Sequence, residues 1–404
     1  MKLLEDSKKI IVDVILSIIG SFFITGISQL IIYPNLSKDL GQVEFGSLLT
    51  LMGLSNVIGV VFGNSLNNIR LLKNIKYLDK GLNGDFKYIL KKIIILSVII
   101  MILVSIIFKK QVNTIDSILL IIITILIIYR GYLNVYYRLD LKYNMILLQM
   151  IITGVGYIIG LILFKVIKSW PIVFLTGEVG CFILTYYTTG YKVEECKKTE
   201  LYNETKREFI QLLTSNLVVN VLLYADRLLI NPILGAANVT IYYVASIVGK
   251  VFGIVLQPIS SVMLTYISKD KKINKRKLFT KMVIIIIICG VIGYILIIPI
   301  TPVIIGVFYP DNLRSALIYT NIANLSVILM IMGSLIQPFT LKFCPMNWQT
   351  RIQCIYAIFY LISSIILMNS NGLFGFCIAA AISNFIRVVL FIVIGYVYSR
   401  KDDI

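Results

Sequence analysis

The sequence predicts an all-α polytopic membrane protein of about twelve transmembrane helices in two six-helix lobes. Three observations carry that prediction. First, 58% of the 404 residues are hydrophobic and only 14% charged, with a mean hydropathy of +0.90. A soluble domain is nearer about 45–50% apolar and about 25% charged, so there is too little polar surface to cover a soluble globule. Second, the apolar residues gather in runs near the length of about 20 residues that a helix needs to cross a bilayer. Third, the 38 Lys+Arg, against 20 Asp+Glu, concentrate between alternate runs.

Each run is expected to be helical, because lipid offers a backbone no hydrogen-bond partners. The first, 10–33, follows a basic start, as a secretory signal peptide would. Its apolar stretch goes on to Ile32 with no small-x-small cleavage pattern, which favours a retained span. Spans 43–67, 93–109, 117–136, 144–167 and 170–189 complete the first half. The segment 191–209 mixes both charge signs and reads as a linker. Spans 209–231, 239–267, 281–300, 315–337, 352–369 and 373–398 form the second half. The third span is short and the eighth is long, with Pro258 expected to kink it or end it early. The expected division is residues 1–200 for the N-terminal lobe with its linker and 205–404 for the C-terminal lobe.

Charge sets the orientation. With the N-terminus in the cytoplasm, the inner segments hold 28 of the 38 Lys+Arg and the outer segments hold 6. That bias places both termini on the cytoplasmic side of the membrane. It also accounts for the net charge of +18 without a nucleic-acid partner. The basic stretches 70–92 and 269–281 read as topology signals on solvated loops; the alternative is a surface for a partner or for anionic membrane lipids.

An internal repeat supports two halves. Val57–Gly63 in the second span is similar to Ile247–Gly253 in the eighth, both carrying G-x-x-x-G, and each span is preceded by a proline expected in a loop, Pro34 and Pro232. Halves of six spans share orientation and are related by an axis along the membrane normal.

Several chemistries are excluded. The chain has no His, which removes Ser-His and Cys-His catalysis and the usual His-containing zinc sites. Its six Cys are scattered without a C-x-x-C pair, and most behave as small hydrophobes within apolar runs. No Walker motif is present, and no soluble segment is long enough for a catalytic domain. The expectation is a transporter without catalytic residues, cofactor or metal.

An ionisable side chain inside a span is costly and marks function by default. The candidates are Asp13, Arg130, Glu178, Asp226, Arg227, Lys250 and Arg387. Lys250 lies about ten residues into its span, roughly 15 Å deep, too deep for easy snorkelling. It is either a cation of a central cavity or the partner of Glu178 or Asp226. Arg387 lies as deep in the last span. Arg130 is closer to the cytoplasmic end of its span, among Tyr129, Tyr132, Tyr136 and Tyr137, which form an interfacial belt or line a sugar path. Lys250, Arg387 and Arg130 are the candidate substrate-binding cations. Glu178, Asp226, Arg227 and Asp13 are the candidates for ion coupling or gating, with simple pairing as the alternative for Glu178.

The stretch Tyr33–Gly46 resembles the P-x-L-x-x-x-L-G-x-x-x-F/Y-G signature after the first span of Wzx-type polysaccharide repeat-unit flippases. These are the O-antigen and capsule transporters of the multidrug/oligosaccharidyl-lipid/polysaccharide (MOP) superfamily, which includes the MATE transporters. Asp226-Arg227 with Leu234-Gly235 and Tyr242-Tyr243, the Phe308-Tyr309-Pro310 stretch with Ala316, and Gly372-x-x-Gly375 with Ala379-Ala380-Ala381 before Ser399-Arg400-Lys401 are also similar. The resemblance implies a MATE-like fold of two six-helix lobes around a central cationic cavity. It implies alternating access that moves an undecaprenyl-pyrophosphate-linked oligosaccharide across the bacterial cytoplasmic membrane. A polysaccharide polymerase and a chain-length regulator are the implied partners. The chain departs from larger relatives with fourteen spans, and Val60 stands where a cation would match Lys250. A drug antiporter of the same superfamily is the alternative, and a membrane polysaccharide polymerase a more distant one.

Overall fold

Helix is the only regular secondary structure among the residues that the computed structural model describes, 15–16, 18–253 and 275–400. In chain order the helices are α1 (Tyr33–Asp79), α2 (Asp85–Ile107), α3 (Thr114–Leu139), α4 (Tyr143–Ile167), α5 (Pro171–Thr188) and α6 (Tyr202–Leu223). They continue with α7 (Ala225–Leu234), α8 (Ala236–Ala245), α9 (Ile247–Gly253), α10 (Lys275–Phe308), α11 (Leu313–Phe343) and α12 (Met346–Arg400).

Two of these are too long to be one crossing. The helical run Ile18–Asp79 has 62 residues. Straight, it would extend about 93 Å, three times the hydrocarbon thickness of about 30 Å. Gly41 breaks it with φ 73° and ψ −179°. In α12 the break is at Asn371 and Gly372, the latter at φ 58°. The chain then turns back along itself: the Ser363 and Ser383 hydroxyls are 3.3 Å apart. Twenty residues of straight helix would separate them by about 30 Å. Only a residue without a side chain fits the return, since a Cβ on Gly375 would lie 1.8 Å from the Leu367 carbonyl oxygen. With both runs taken as pairs, α6–α7 as one crossing and α8–α9 as a crossing bent by 57°, the described residues read as twelve spans.

The local structure departs from expectation at several boundaries. Pro34 is not in a loop. It sits at the start of α1 directly after the π-helical turn Ser28–Ile32. The wider turn accommodates a residue that has no N–H and crowds the carbonyl four positions back. Pro232 likewise lies inside α7. The expected solvated loop 70–92 is helical to Asp79 and again from Asp85, leaving a short turn at Gly81 and Gly84, both at positive φ. The eighth span bends after Ala245; its expected kink at Pro258 lies outside the described residues.

Internal contacts divide the chain into two compact units. The first contains the described residues to Asp39 together with Ser47–Leu228, so it includes α6. The second contains Leu40–Gly46 and the described residues from Leu229 onward. Within the first, α5 packs on α3 and α4. Within the second, α11 packs on α10 and α12. An apolar cluster there centres on Phe279, Ile336, Phe339, Ile352 and Phe391.

The two G-x-x-x-G segments do the same work in each unit. In α1, Gly59 and Gly63 lie against Ile127, Ile128 and Gly131 of the fourth span. In α9, Gly249 and Gly253 lie against Asn324, Val327 and Ile331 of the tenth. Each motif thus lets a span approach the one two further along the chain. Small residues at this spacing allow backbones to meet in lipid, where no hydrophobic force drives helices together.

Candidate functional site

The first unit builds a buried ion pair from three helices. Arg130 (α3) and Glu178 (α5) meet at 2.9 Å, with the carboxylate side chain only 1% exposed. The Tyr157 hydroxyl (α4) donates to the same carboxylate oxygen at 2.9 Å. Gly177 makes this possible, because a Cβ there would lie 2.4 Å from the Tyr157 ring. Oε2 of Glu178 has no hydrogen-bond partner among the described residues. Arg130 was expected as a cavity cation, but its charge is compensated here. Glu178, read as a coupling or gating carboxylate or as the simple partner of a basic residue, is that partner.

Asp226 and Arg227 begin α7. The Arg227 backbone N–H donates to Asp226 Oδ1 at 2.8 Å. The Arg227 guanidinium donates to the Leu49 carbonyl at 3.3 Å and lies 5.5 Å from the Tyr224 ring. Both arrangements hold the start of α7 to the first unit. Asp13 lies outside the described residues.

The ends of α1 and α3, with the segment before α6, contain a cluster that the sequence reading missed. Arg70 pairs with Glu194 at 2.8 Å, and the Tyr136 hydroxyl donates to the same carboxylate at 2.6 Å. Tyr132 also touches both Arg70 and Glu194. Lys73 bridges Glu204 and Glu208, Lys76 pairs with Glu204 at 2.6 Å, and Lys80 pairs with Glu200. Hydrogen bonds from Lys73 and Lys76 hold the Glu204 carboxyl down to about 2. Tyr132 and Tyr136 are therefore polar partners of an ion pair. The signal was present: Arg70, Lys73, Lys76 and Lys80 form a basic stripe, and Glu200, Glu204 and Glu208 an acidic one at i, i+4 spacing.

The second unit treats charge differently. Its acidic residues, among those described, are Glu44 and Asp311. Arg387 in α12 is 9% exposed, and no carboxylate is within ion-pair distance of it among the described residues. Its guanidinium lies 5.2 Å from the Tyr356 ring and 5.6 Å from the Phe391 ring. Its Nε has no hydrogen-bond partner among the described residues. One turn earlier, Asn384 donates to Ser326 at 3.1 Å, while its carbonyl oxygen is unpartnered. A buried donor and a buried acceptor on one helix face are thus both unsatisfied, which is rare in a folded interior.

Lys250 in α9 lies 5.4 and 5.3 Å from the rings of Tyr242 and Tyr243. Its neighbour Gly249 docks on Asn324, whereas Arg387 packs beside Gly333 of the same helix α11. Nine residues of helix separate these contacts by about 13 Å and turn them to roughly opposite faces. Gly249 and Arg387 therefore contact different sides of α11.

Two helical units, twelve crossings and few buried charges define a multi-pass membrane protein with the fold of MATE-type transporters of the MOP superfamily. No protein-family model matches the chain, and no curated protein matches it. Solved structures do. An inward-facing multidrug resistance MATE family transporter of the MOP superfamily is similar with a TM-score of 0.64 and 12% identity, covering 93% of this chain and 94% of that one. The lipid II flippase MurJ in an inward closed conformation gives a TM-score of 0.62 and 16% identity, over 95% of this chain and 86% of that one. The Vibrio cholerae MATE transporter VcmN in its bent form gives 0.57 and 12%, over 98% and 97%. At these identities the likeness is one of fold.

Proposed function

We propose that the protein is a flippase for a lipid-linked oligosaccharide, of the Wzx type, in the bacterial cytoplasmic membrane with both termini inside. One observation carries this reading: Arg387 is a buried cation with no carboxylate partner among the described residues, beside the unsatisfied carbonyl of Asn384. A guanidinium favours planar, bidentate contact with phosphate oxygens. A sugar pyrophosphate offers that anion, together with hydroxyl groups that can donate to the Asn384 oxygen. Lys250 supplies a second positive charge in the same unit. The Tyr33–Gly46 signature and a fold shared with a lipid II flippase support the same substrate class. In this reading the Arg130–Glu178 pair serves coupling, opening and closing as the protein alternates between two states.

The test is complementation of a strain lacking the protein. Arg387→Ala abolishes surface polysaccharide at normal membrane levels of the protein, and lipid-linked precursor accumulates on the inner leaflet. Arg387→Lys retains partial function, since charge remains while the fork geometry is lost. Full surface polysaccharide with Arg387→Ala would refute the proposal. The multidrug transporters of like fold suggest a competing reading, drug export. A cationic drug is repelled by Arg387, and altered drug susceptibility on deletion with intact polysaccharide would favour that reading instead.

A further inference from the structure

The cytoplasmic start of α10 forms an open groove of about 730 Å³ with the end of α12. It is lined by Arg276, Lys277, Thr280, Lys281, Ile284, Ile285 and Tyr396. These α10 residues fall on two adjoining i, i+4 stripes, 276/280/284 and 277/281/285. Each stripe begins with positive charge and ends on an isoleucine that is about half exposed, Ile284 at 51% and Ile285 at 49%. Eight residues of helix separate the two ends by about 12 Å. That places cations at headgroup level when the isoleucines are in hydrocarbon, since the polar layer on each side is only about 5–8 Å thick. Tyr396 walls the groove from α12 and accepts a hydrogen bond from Arg276 at 3.2 Å, which fixes the guanidinium over the opening.

Glu44 and Asp311 lie at the other end of the helices: Asp311 follows α10 at its far terminus, and Phe45 packs 6.5 Å from Tyr309 beside it. Lys275–Lys281 also belongs to the segments that the charge bias places on the cytoplasmic side, where the leaflet carries anionic lipid.

We propose that this groove binds one anionic glycerophospholipid of the cytoplasmic leaflet. Its phosphate sits among Arg276, Lys277 and Lys281, and one acyl chain lies along Ile284 and Ile285. The site is separate from Arg387 and does not depend on the flippase reading.

Native mass spectrometry of the detergent-purified protein with added phosphatidylglycerol or phosphatidylcholine tests it. The wild type retains phosphatidylglycerol at concentrations where phosphatidylcholine is lost. Near a membrane surface each cation is worth about a fivefold change in lipid binding. The triple variant Arg276→Gln, Lys277→Gln and Lys281→Gln is therefore expected to bind phosphatidylglycerol roughly 100-fold more weakly. Ile284→Ala with Ile285→Ala, which keeps every charge, also weakens it. A control losing equal charge elsewhere, Lys109→Gln, Lys110→Gln and Lys165→Gln, leaves it unchanged. Gel-filtration profiles matching the wild type establish that each variant is folded. Wild-type lipid retention by the triple variant, or an equal loss in the control, overturns the proposal. So does displacement of the lipid by equimolar glycerol 3-phosphate, which would assign the site to a free phosphate.

Discussion

Replacing Arg387 by Met is expected to make the protein more stable while destroying its function. A buried charge left uncompensated costs about 3–5 kcal/mol. At 9% exposure Arg387 recovers little of that from water. What it gains comes from two aromatic neighbours, Tyr356 at 5.2 Å and Phe391 at 5.6 Å. Contacts of this kind contribute about 0.5–2 kcal/mol each. The difference leaves a net cost of roughly 2 kcal/mol. Methionine fills similar space, keeps contact with both rings and needs no hydrogen-bond partner. Arg387→Met should therefore raise unfolding stability by about 1–3 kcal/mol. Thermal unfolding of the purified protein in detergent measures it, alongside surface polysaccharide in the complemented strain. A variant that is less stable than wild type yet still active would refute the reasoning, because Arg387 would then be a structural residue with a partner it needs. A rise in stability with loss of function is the signature of a residue held for a ligand.

Other expectations follow from the first unit. Glu178→Gln alone leaves Arg130 buried without its counter-charge and should cost about 3–5 kcal/mol, whereas the double variant Arg130→Met with Glu178→Gln should recover most of it; additive losses in a thermal double-mutant cycle would show that the 2.9 Å pair is not an energetic unit. Glu204, held down to about 2 from 4.5 by Lys73 and Lys76, stabilises the linker above its ordinary value and loses that contribution as pH falls through the interval between them. The protection against hydrogen exchange over 190–208, taken relative to the intrinsic rate at each pH, should fall as pH drops across that interval in the wild type and show no such step in Glu204→Gln. Cys196 is exposed in the linker, and with the other cysteines replaced by serine it should react with a membrane-impermeant maleimide only in inside-out vesicles; a cysteine placed at Lys110 should show the opposite sidedness.

Spans were legible in the sequence because lipid imposes a single demand, about 20 apolar residues without interruption. Positions where helices continue past that demand were not. Nothing in hydropathy distinguishes a loop at 70–79 from about three more turns of α1, because what holds those turns is the pairing of Lys73, Lys76 and Lys80 with glutamates 120 or more residues away. Proline is usually costly inside a helix, and nothing in the local pattern around Pro34 announces the π-turn before it that relieves that cost. The glycine pairs were readable as close-packing sites, and the structure names their partners. Arg130, Glu178, Lys250 and Arg387 were all readable as costly intramembrane charges. Which of them are compensated was not, since pairing depends on helix rotation and on which helices meet, and neither is written in the local pattern.

That unread step is what separates the two units. In the first, the buried Lys73 and the partly buried Arg70 and Arg130 each meet a carboxylate, while the buried Arg227 donates to the Leu49 carbonyl. The same composition could have distributed acids evenly, and a protein selected only for stability would have done so or used no charge at all, because an apolar replacement is often as stable as a buried pair. The second unit keeps Arg387 inside against the rings of Tyr356 and Phe391, and neither of its described acids, Glu44 and Asp311, pairs with it. A membrane protein gains nothing in fold from such a residue. It gains an electrostatic preference for anions, which a carboxylate partner would cancel. A Val388→Glu change, at a side chain that lies with Arg387 against Gly333, should therefore impair transport by supplying an internal partner, even though it leaves every other side chain of the site in place.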